Sequence, residues 1–197
     1  MLRKISEDRR TQKTRKALQE ALISLMFEKS YDFILIKEIL DRANVGRSTF
    51  YTHFRDKDEL LVEGFQGLRE MLFDAQAATP TTSGKNYERV IGFSLAMFEH
   101  AYDHKKIFLA QVGRPGWIVM SRHIEGTLVQ LMKDEARSLF RRRASSDVPF
   151  ELFIYYLGAT FMSVLTWWFN SKQPLSPQKI NELFRELVIP TLAAHLN

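Results

Sequence analysis

The chain is predicted to be all-helical, and three observations carry that reading. Apolar residues recur at three- and four-residue spacing in its amphipathic segments. No segment alternates apolar and polar residues over a strand's length. One stretch, Ile36 to Phe54, reads as two short helices joined by a tight turn. At 197 residues, 45% of them hydrophobic, the chain fits one long or two short domains with a sizeable core. It contains no cysteine, which excludes disulfides, thiolate metal sites and cysteine nucleophiles and is compatible with a reducing cytoplasm. The opening MLRKISEDRRTQKTRK is charged and lacks the apolar run of a secretory signal, so a cytoplasmic location is expected.

The first helix is expected from about Arg10 to Lys29, with Leu18, Ala21, Leu22, Leu25 and Met26 as its apolar stripe and Tyr31 and Phe33 plugging the small core beneath it. In the next helix Ile36, Ile39, Leu40 and Ala43 fall at i, i+3, i+4 and i+7. Asn44 ends it, because Asn tolerates the left-handed backbone that helix C-termini often need, and Val45 can fold back onto the same helix. Gly46 is a permissive N-cap for a third helix, Arg47 to His53, in which Phe50 and Phe54 point to the core. Arg47, Ser48, Thr49, Tyr51, Thr52 and His53 are left on its outer face, a set of donors suited to phosphates and to base edges in a major groove. Asp56, with Glu59 three residues on, opens a fourth helix like a capping box.

Charge is concentrated at the same end. Residues 1 to 57 hold thirteen Lys/Arg against eight Asp/Glu, so all of the net +5 lies there and the rest of the chain is balanced. Arg3, Lys4, Arg9, Arg10, Lys13, Arg15 and Lys16 crowd the first helix, as expected of an arm lying along phosphates.

These residues resemble the DNA-binding domain of the TetR/AcrR family of transcriptional regulators. The resemblance rests on Leu18 to Met26, Tyr31, Ile39, Ala43, Asn44, Val45, Thr49, Phe50, Tyr51, Phe54, Lys57, Glu59 and Leu60. Leu35 and Gly46 depart from it, standing where a hydroxyl residue is common in the family, and neither is given a DNA role. The resemblance implies residues 1–56 as a helix-turn-helix domain, a helix 57–76 connecting it onward, and 57–197 as a ligand-binding and dimerisation domain, about nine helices in all. Arg47 is the expected base contact. Thr49, Tyr51, His53 and Lys57 are the expected phosphate contacts, and Ser48, Thr52 and Lys37 complete the DNA-binding set.

Thr79 to Lys85, TPTTSGK, is the clearest linker. Beyond it helical segments are expected at about Tyr87 to Tyr102, Lys105 to Val112, Val119 to Arg142 and Phe150 to Asn170, and Ser176 and Pro177 start a last helix to about Leu196. Leu152 to Ser171 carries no charge and is long enough to cross a bilayer, but its tyrosines, Gly158 and hydroxyl residues dilute its hydrophobicity, and no membrane is expected as a partner. An apolar circumference also suits a helix buried on two sides. The resemblance implies a two-fold homodimer through helices 150–170 and 177–196, binding a palindromic operator in double-stranded DNA.

It also implies a small-molecule effector in the C-terminal domain. Phe93, Met97, Phe98, Phe108, Trp117, Met120, Phe161, Met162 and Trp167 would make an apolar, aromatic wall there, with His123, Tyr155 or Tyr156 as polar handles and the loop Gly113 to Gly116 at its mouth. Of these, Phe98, Trp117, Met120, His123, Tyr155, Phe161 and Met162 form the candidate ligand set, against the plainer reading of ordinary core. His100 and His104, beside Glu99 and Asp103, lack a convincing third ligand, so no metal and no cofactor is assigned. Enzyme motifs are absent. The expectation is a ligand-responsive DNA-binding regulator, a repressor by the resemblance, in which effector binding tilts the helix from Lys57 and moves the recognition helices off their grooves. The alternative is a helix-turn-helix regulator whose C-terminal domain binds a protein partner; a carrier or enzyme for a hydrophobic metabolite is a more distant rival.

Overall fold

The computed structural model describes residues 2–80, 86–112, 114–140, 148–172 and 175–196, and among them every regular element is helical. In chain order the α-helices are α1 Leu2–Glu28, α2 Ile36–Ala43, α3 Arg47–His53, α4 Lys57–Gly64, α5 Gln66–Ala78, α6 Ser94–Asp103, α7 Lys105–Gln111, α8 Pro115–Phe140, α9 Phe150–Asn170 and α10 Pro177–Leu196, with 3-10 turns at Tyr31–Phe33 and Asn86–Ile91. Two compact units emerge. The first comprises Met1–Gln66 and Leu109–Val119, the second Gly67–Phe108 and Met120–Asn197. The sequence places the division at residue 56 and does not anticipate that 109–119 groups with the N-terminal helices.

In the first unit α1 packs on α2 and α4, and α2 on α3. The stripe Leu18, Ala21, Leu22, Leu25 and Met26 is buried against Ile34, Ile39, Phe50, Phe54 and Leu60. A buried side chain of this size contributes about 1.5–3 kcal/mol over leaving it wet. Tyr31 is buried as expected, but Phe33 is not a plug: it is 73% exposed. The three-residue turn can direct only one of its two rings inward, and Tyr31 takes that place. In the second unit the core is aromatic, with Phe98 stacked on Phe161 at 4.7 Å and Phe184 edge-on to both at 5.9 and 5.1 Å. Gly158 lets α9 lie close to α8, since a Cβ there would sit 2.7 Å from Val129 Cγ2.

Several ends differ from the sequence expectation. Helix α1 begins at Leu2, not near Arg10. The helix expected over 57–76 is two: α4 ends at Gly64, with the N–H of its C-cap Phe65 bonded back to the Val62 carbonyl at 3.1 Å, and α5 begins at Gln66. Gly64 and Gly67 on either side weaken helical continuity there. The segment 87–102 is likewise divided, with the 3-10 turn Asn86–Ile91 separated from α6 by Gly92, where a Cβ would meet Thr79 Oγ1 at 2.3 Å. Helix α8 starts at Pro115, so half of the expected loop 113–116 is helical; Gly113 lies outside the described residues, as do 81–85 of the linker and Arg141 and Arg142. Helices α9 and α10 have the expected bounds, and Ser176 Oγ accepts the Lys179 N–H at 3.1 Å as the N-cap.

Candidate nucleic-acid interface

The interface is built from the turn between α2 and α3. Asn44 has the left-handed backbone (φ 52, ψ 47), and the Val45 N–H reaches back to the Leu40 carbonyl at 3.0 Å, closing α2 with a Schellman-type bond. Glu38 steadies the other end of α2: its carboxylate accepts the Leu35 N–H at 2.9 Å and the Lys29 ammonium at 2.6 and 2.7 Å. The Lys29 bond first, then the Leu35 N–H, hold its carboxyl below the usual range. Helix α3 is anchored by Phe50 and Phe54, whose rings pack at 5.7 Å in the core. Anchoring that face leaves Arg47, Ser48, Thr49, Tyr51 and Thr52 exposed and His53 half-buried beside Phe54.

Arg47, Tyr51, Lys37 and Leu35 line one open groove of about 920 Å³, whose wall also carries Lys57 and the carboxylates of Asp32, Asp41, Asp56 and Asp58. The Arg47 guanidinium lies 5.7 Å from the centre of the Tyr51 ring, and that ring stands edge-on to Phe50 at 5.3 Å. Thr52 Oγ1 donates to the Ser48 carbonyl at 3.0 Å, which leaves its oxygen an acceptor but occupies its proton.

Lys57 is placed differently from the expectation. Its ammonium donates to the carbonyls of Tyr31 at 2.9 Å, Asp32 at 3.2 Å and Ile34 at 3.0 Å, and sits 4.5 Å from the centre of the Tyr31 ring. An ammonium has three donors, and here all three are engaged by the Tyr31–Ile34 turn. The Tyr31 hydroxyl donates to Asp58, and burial first, then that carboxylate, push it above the ordinary tyrosine range. Other cations are also matched internally: Arg42 with Glu28 at 2.6 Å and Ser24 at 2.9 Å, Arg15 with Glu63 at 3.2 Å, and Arg55 with Glu59 at 3.2 Å. Arg10, Lys13, Lys37 and Arg47 have no carboxylate within ion-pair distance among the described residues. They lie exposed on this unit beside other exposed charges, Lys16, Arg42, Arg55 and Arg114 among the cations and Asp32, Asp41 and Asp56 among the acids; the side chains of Arg3, Lys4 and Arg9 lie outside the described residues.

One residue of this unit has no signal in the sequence. Gln111, fully buried in the segment 109–119, accepts the Tyr31 N–H on Oε1 at 3.0 Å and donates from Nε2 toward the Met26 and Lys29 carbonyls at 3.4 and 3.3 Å. It caps the end of α1 from eighty residues away, a separation that no periodicity reveals.

The candidate ligand residues are dispersed. Phe98, Met120, Phe161 and Met162 are buried in the second unit, and Phe98 and Phe161 take part in the ring cluster of its core. His123 is half-buried, with burial lowering its pKa. Tyr155, expected as an inward handle, is 61% exposed on α9, because Ile154 and Leu157 claim the inner face. Trp117 falls in the segment that groups with the first unit. His100 and His104 stack ring on ring at 4.2 Å, with His104 Nδ1 bonded to the His100 carbonyl at 2.9 Å, and no group of three or more His, Asp or Glu among the described residues is placed to hold a metal.

Comparison with known proteins adds independent observations. Residues 18–63 match the model for bacterial regulatory proteins of the tetR family, and residues 88–190 match a transcriptional regulator C-terminal region of the same family. The HTH-type transcriptional regulator YhgD of Bacillus subtilis is 23% identical over 92% of this chain and 97% of its own length. YxbF of the same organism is 46% identical over 55 residues, 27% of this chain, and those residues span only 14% of YxbF. Among solved structures, a TetR transcriptional regulator from Streptococcus agalactiae superposes with a TM-score of 0.63 at 27% identity, covering 93% of this chain and 98% of that one. NalD of Pseudomonas aeruginosa, described as the secondary repressor of the MexAB-OprM multidrug efflux pump, shares the fold with a TM-score of 0.65 at 18% identity over 91% and 96% of the two chains.

Proposed function

Because this chain belongs to the TetR family of bacterial transcriptional regulators, a family of DNA-binding proteins and not enzymes, we propose that it is a dimeric repressor released from a palindromic operator by a small apolar or aromatic effector. The observation that carries the DNA part is the outer face of α3. A helix held from behind by Phe50 and Phe54 presents Arg47, Ser48, Thr49, Tyr51 and Thr52 together, with Lys37 across the same groove as Arg47. Arg47 is assigned to a base edge. Ser48, Thr49, His53 and Lys37 are assigned to phosphates, Thr52 to a flanking contact that its oxygen accepts, since its proton is held by the Ser48 carbonyl, and Lys57 and Tyr51 are withdrawn from the phosphate set.

Dimerisation is proposed through α9 and α10. Leu152, Tyr155, Tyr156 and Trp167 of α9 and Leu187 of α10 are large apolar side chains left exposed, and an open groove of about 690 Å³ between Val164, Trp167, Leu183 and Leu187 continues that surface. A single recognition helix covers too few base pairs for selectivity, whereas a two-fold pair reads half-sites about 34 Å apart. The effector reading is supported by the apolar, aromatic character of Phe98, Met120, Phe161 and Met162, with His123 half-buried on α8. Effector binding weakens DNA binding only as far as the effector prefers the DNA-incompetent arrangement. Repression is the sense in which NalD, which shares the fold, is described. A regulator of bacterial genes works where the chromosome is, and the cytoplasm is the proposed location.

The test is selection of bound sequences from a random duplex pool by the purified protein at several salt concentrations. An inverted repeat bound with steep salt dependence is the expected result. Weak binding indifferent to sequence overturns the proposal.

A further inference from the structure

We propose that Tyr51 is a positioning residue for Arg47: its ring is a shelf that holds the guanidinium toward one base pair, and its hydroxyl is not the group that matters. The inference rests on the DNA-binding reading above and deepens it. Arg47 is the first residue of α3 and Tyr51 stands four residues on, so the two side chains share one face of the helix. The guanidinium centre lies 5.7 Å from the ring centroid, within cation–π range. The ring in turn stands perpendicular to the fully buried Phe50, with 5.3 Å between centroids and 88° between planes. A line of fixed contacts therefore runs from the core through Phe50 and Tyr51 to Arg47.

This arrangement suits base recognition for a chemical reason. Bidentate readout of a guanine edge needs the planar donor fork of an arginine held in one orientation, and an exposed arginine samples many rotamers. A carboxylate could restrain it, but a carboxylate would consume the same N–H donors and cancel the charge. A π face attracts the cation while consuming no donor. Arg47 has no carboxylate within ion-pair distance among the described residues, whereas Arg15, Arg42 and Arg55 of the same unit each have one. Tyr51 is 47% exposed, so replacing it removes little of the core.

The experiment uses full-length protein and the duplex recovered from a random pool by the wild type, with each position of that duplex changed in turn. Arg47→Ala is expected to lose about tenfold or more of its discrimination at one base pair in each half-site. Tyr51→Leu is expected to lose about two- to fivefold at that same base pair. Tyr51→Phe is expected to discriminate like the wild type, and Tyr51→Leu is expected to have no further effect when added to Arg47→Ala. The proposal is overturned if Tyr51→Phe loses as much as Tyr51→Leu, which would assign the effect to the hydroxyl. It is overturned equally if Tyr51→Leu weakens all duplexes alike. If Arg47→Ala relaxes no base pair, the assignment of Arg47 fails and the shelf with it; if the wild type recovers no preferred sequence, the DNA reading itself fails.

Discussion

Lys57 shows how much a single residue's role depends on what its donors already touch. At the first turn of α4 its charge invites a phosphate, yet three backbone carbonyls of the Tyr31–Ile34 turn engage the ammonium. Removing a charged donor from such a site costs about 1–3 kcal/mol, because the carbonyls lose their partner. Lys57→Met is therefore expected to lower the denaturant midpoint while leaving the slope of log K against log salt unchanged for any DNA it still binds. Lys37→Ala is expected to do the reverse, with unchanged stability and a salt slope shallower by about one. Equal salt slopes for Lys37→Ala and the wild type would remove Lys37 from the interface.

At the scale of the element, the ends of helices are held by residues distant in sequence. The Met26 carbonyl of α1, the Lys29 carbonyl just past its end and the following Tyr31 N–H are bonded by the Gln111 amide, which lies on α7 and is fully buried. Gln111→Leu keeps the approximate bulk but leaves these backbone groups without their partner, at a cost of about 1–3 kcal/mol. The expected outcome is a lower unfolding midpoint, with amide exchange accelerated at Tyr31. Wild-type protection at that amide would show that the side-chain bond is dispensable. Helix approach is equally specific, since α9 meets α8 at Gly158 with no room for a Cβ beside Val129.

For the whole molecule, two properties follow from surfaces and charge. The exposed apolar face that includes Trp167 and Leu187 is expected to be covered by a second copy. Leu187→Glu, which places a charge in that face, should give a monomer in sedimentation that no longer binds the operator tightly. A dimer that survives the charge would place the interface elsewhere. Acid stability has a worked direction. Burial first, then His104, lower His100 to about 4 from 6.5, with Asp103 opposing. Between these values the unfolded chain binds a proton that the folded chain refuses, so stability falls as pH drops from about 6.5 toward 4. The depressed carboxyls of Glu28, Glu38 and Glu59 add their loss only as pH falls below their ordinary value of 4.5. His123, also lowered by burial, adds to the same limb, so His100→Gln is expected to make the limb above pH 4.5 shallower without abolishing it and to leave the lower limb in place. An unchanged slope across pH 4.5–6.5 would show that His100 does not govern it.

The helical class, the turn at Asn44, the inward Phe50 and Phe54 and hence the outward set on α3 are legible in the order of residues. All of these are set by contacts within four or five residues, where spacing along the chain is distance in space. The charge excess of the N-terminal third is legible for the same reason, since it needs no partner to be counted. Packing settles which cations of that third are already matched, that Phe33 and Tyr155 face outward, and that Gln111 returns to cap α1. Each of those outcomes depends on which surface arrives from a distant part of the chain. A residue's type states what it is able to bond, whereas only the packed fold decides which bond it makes.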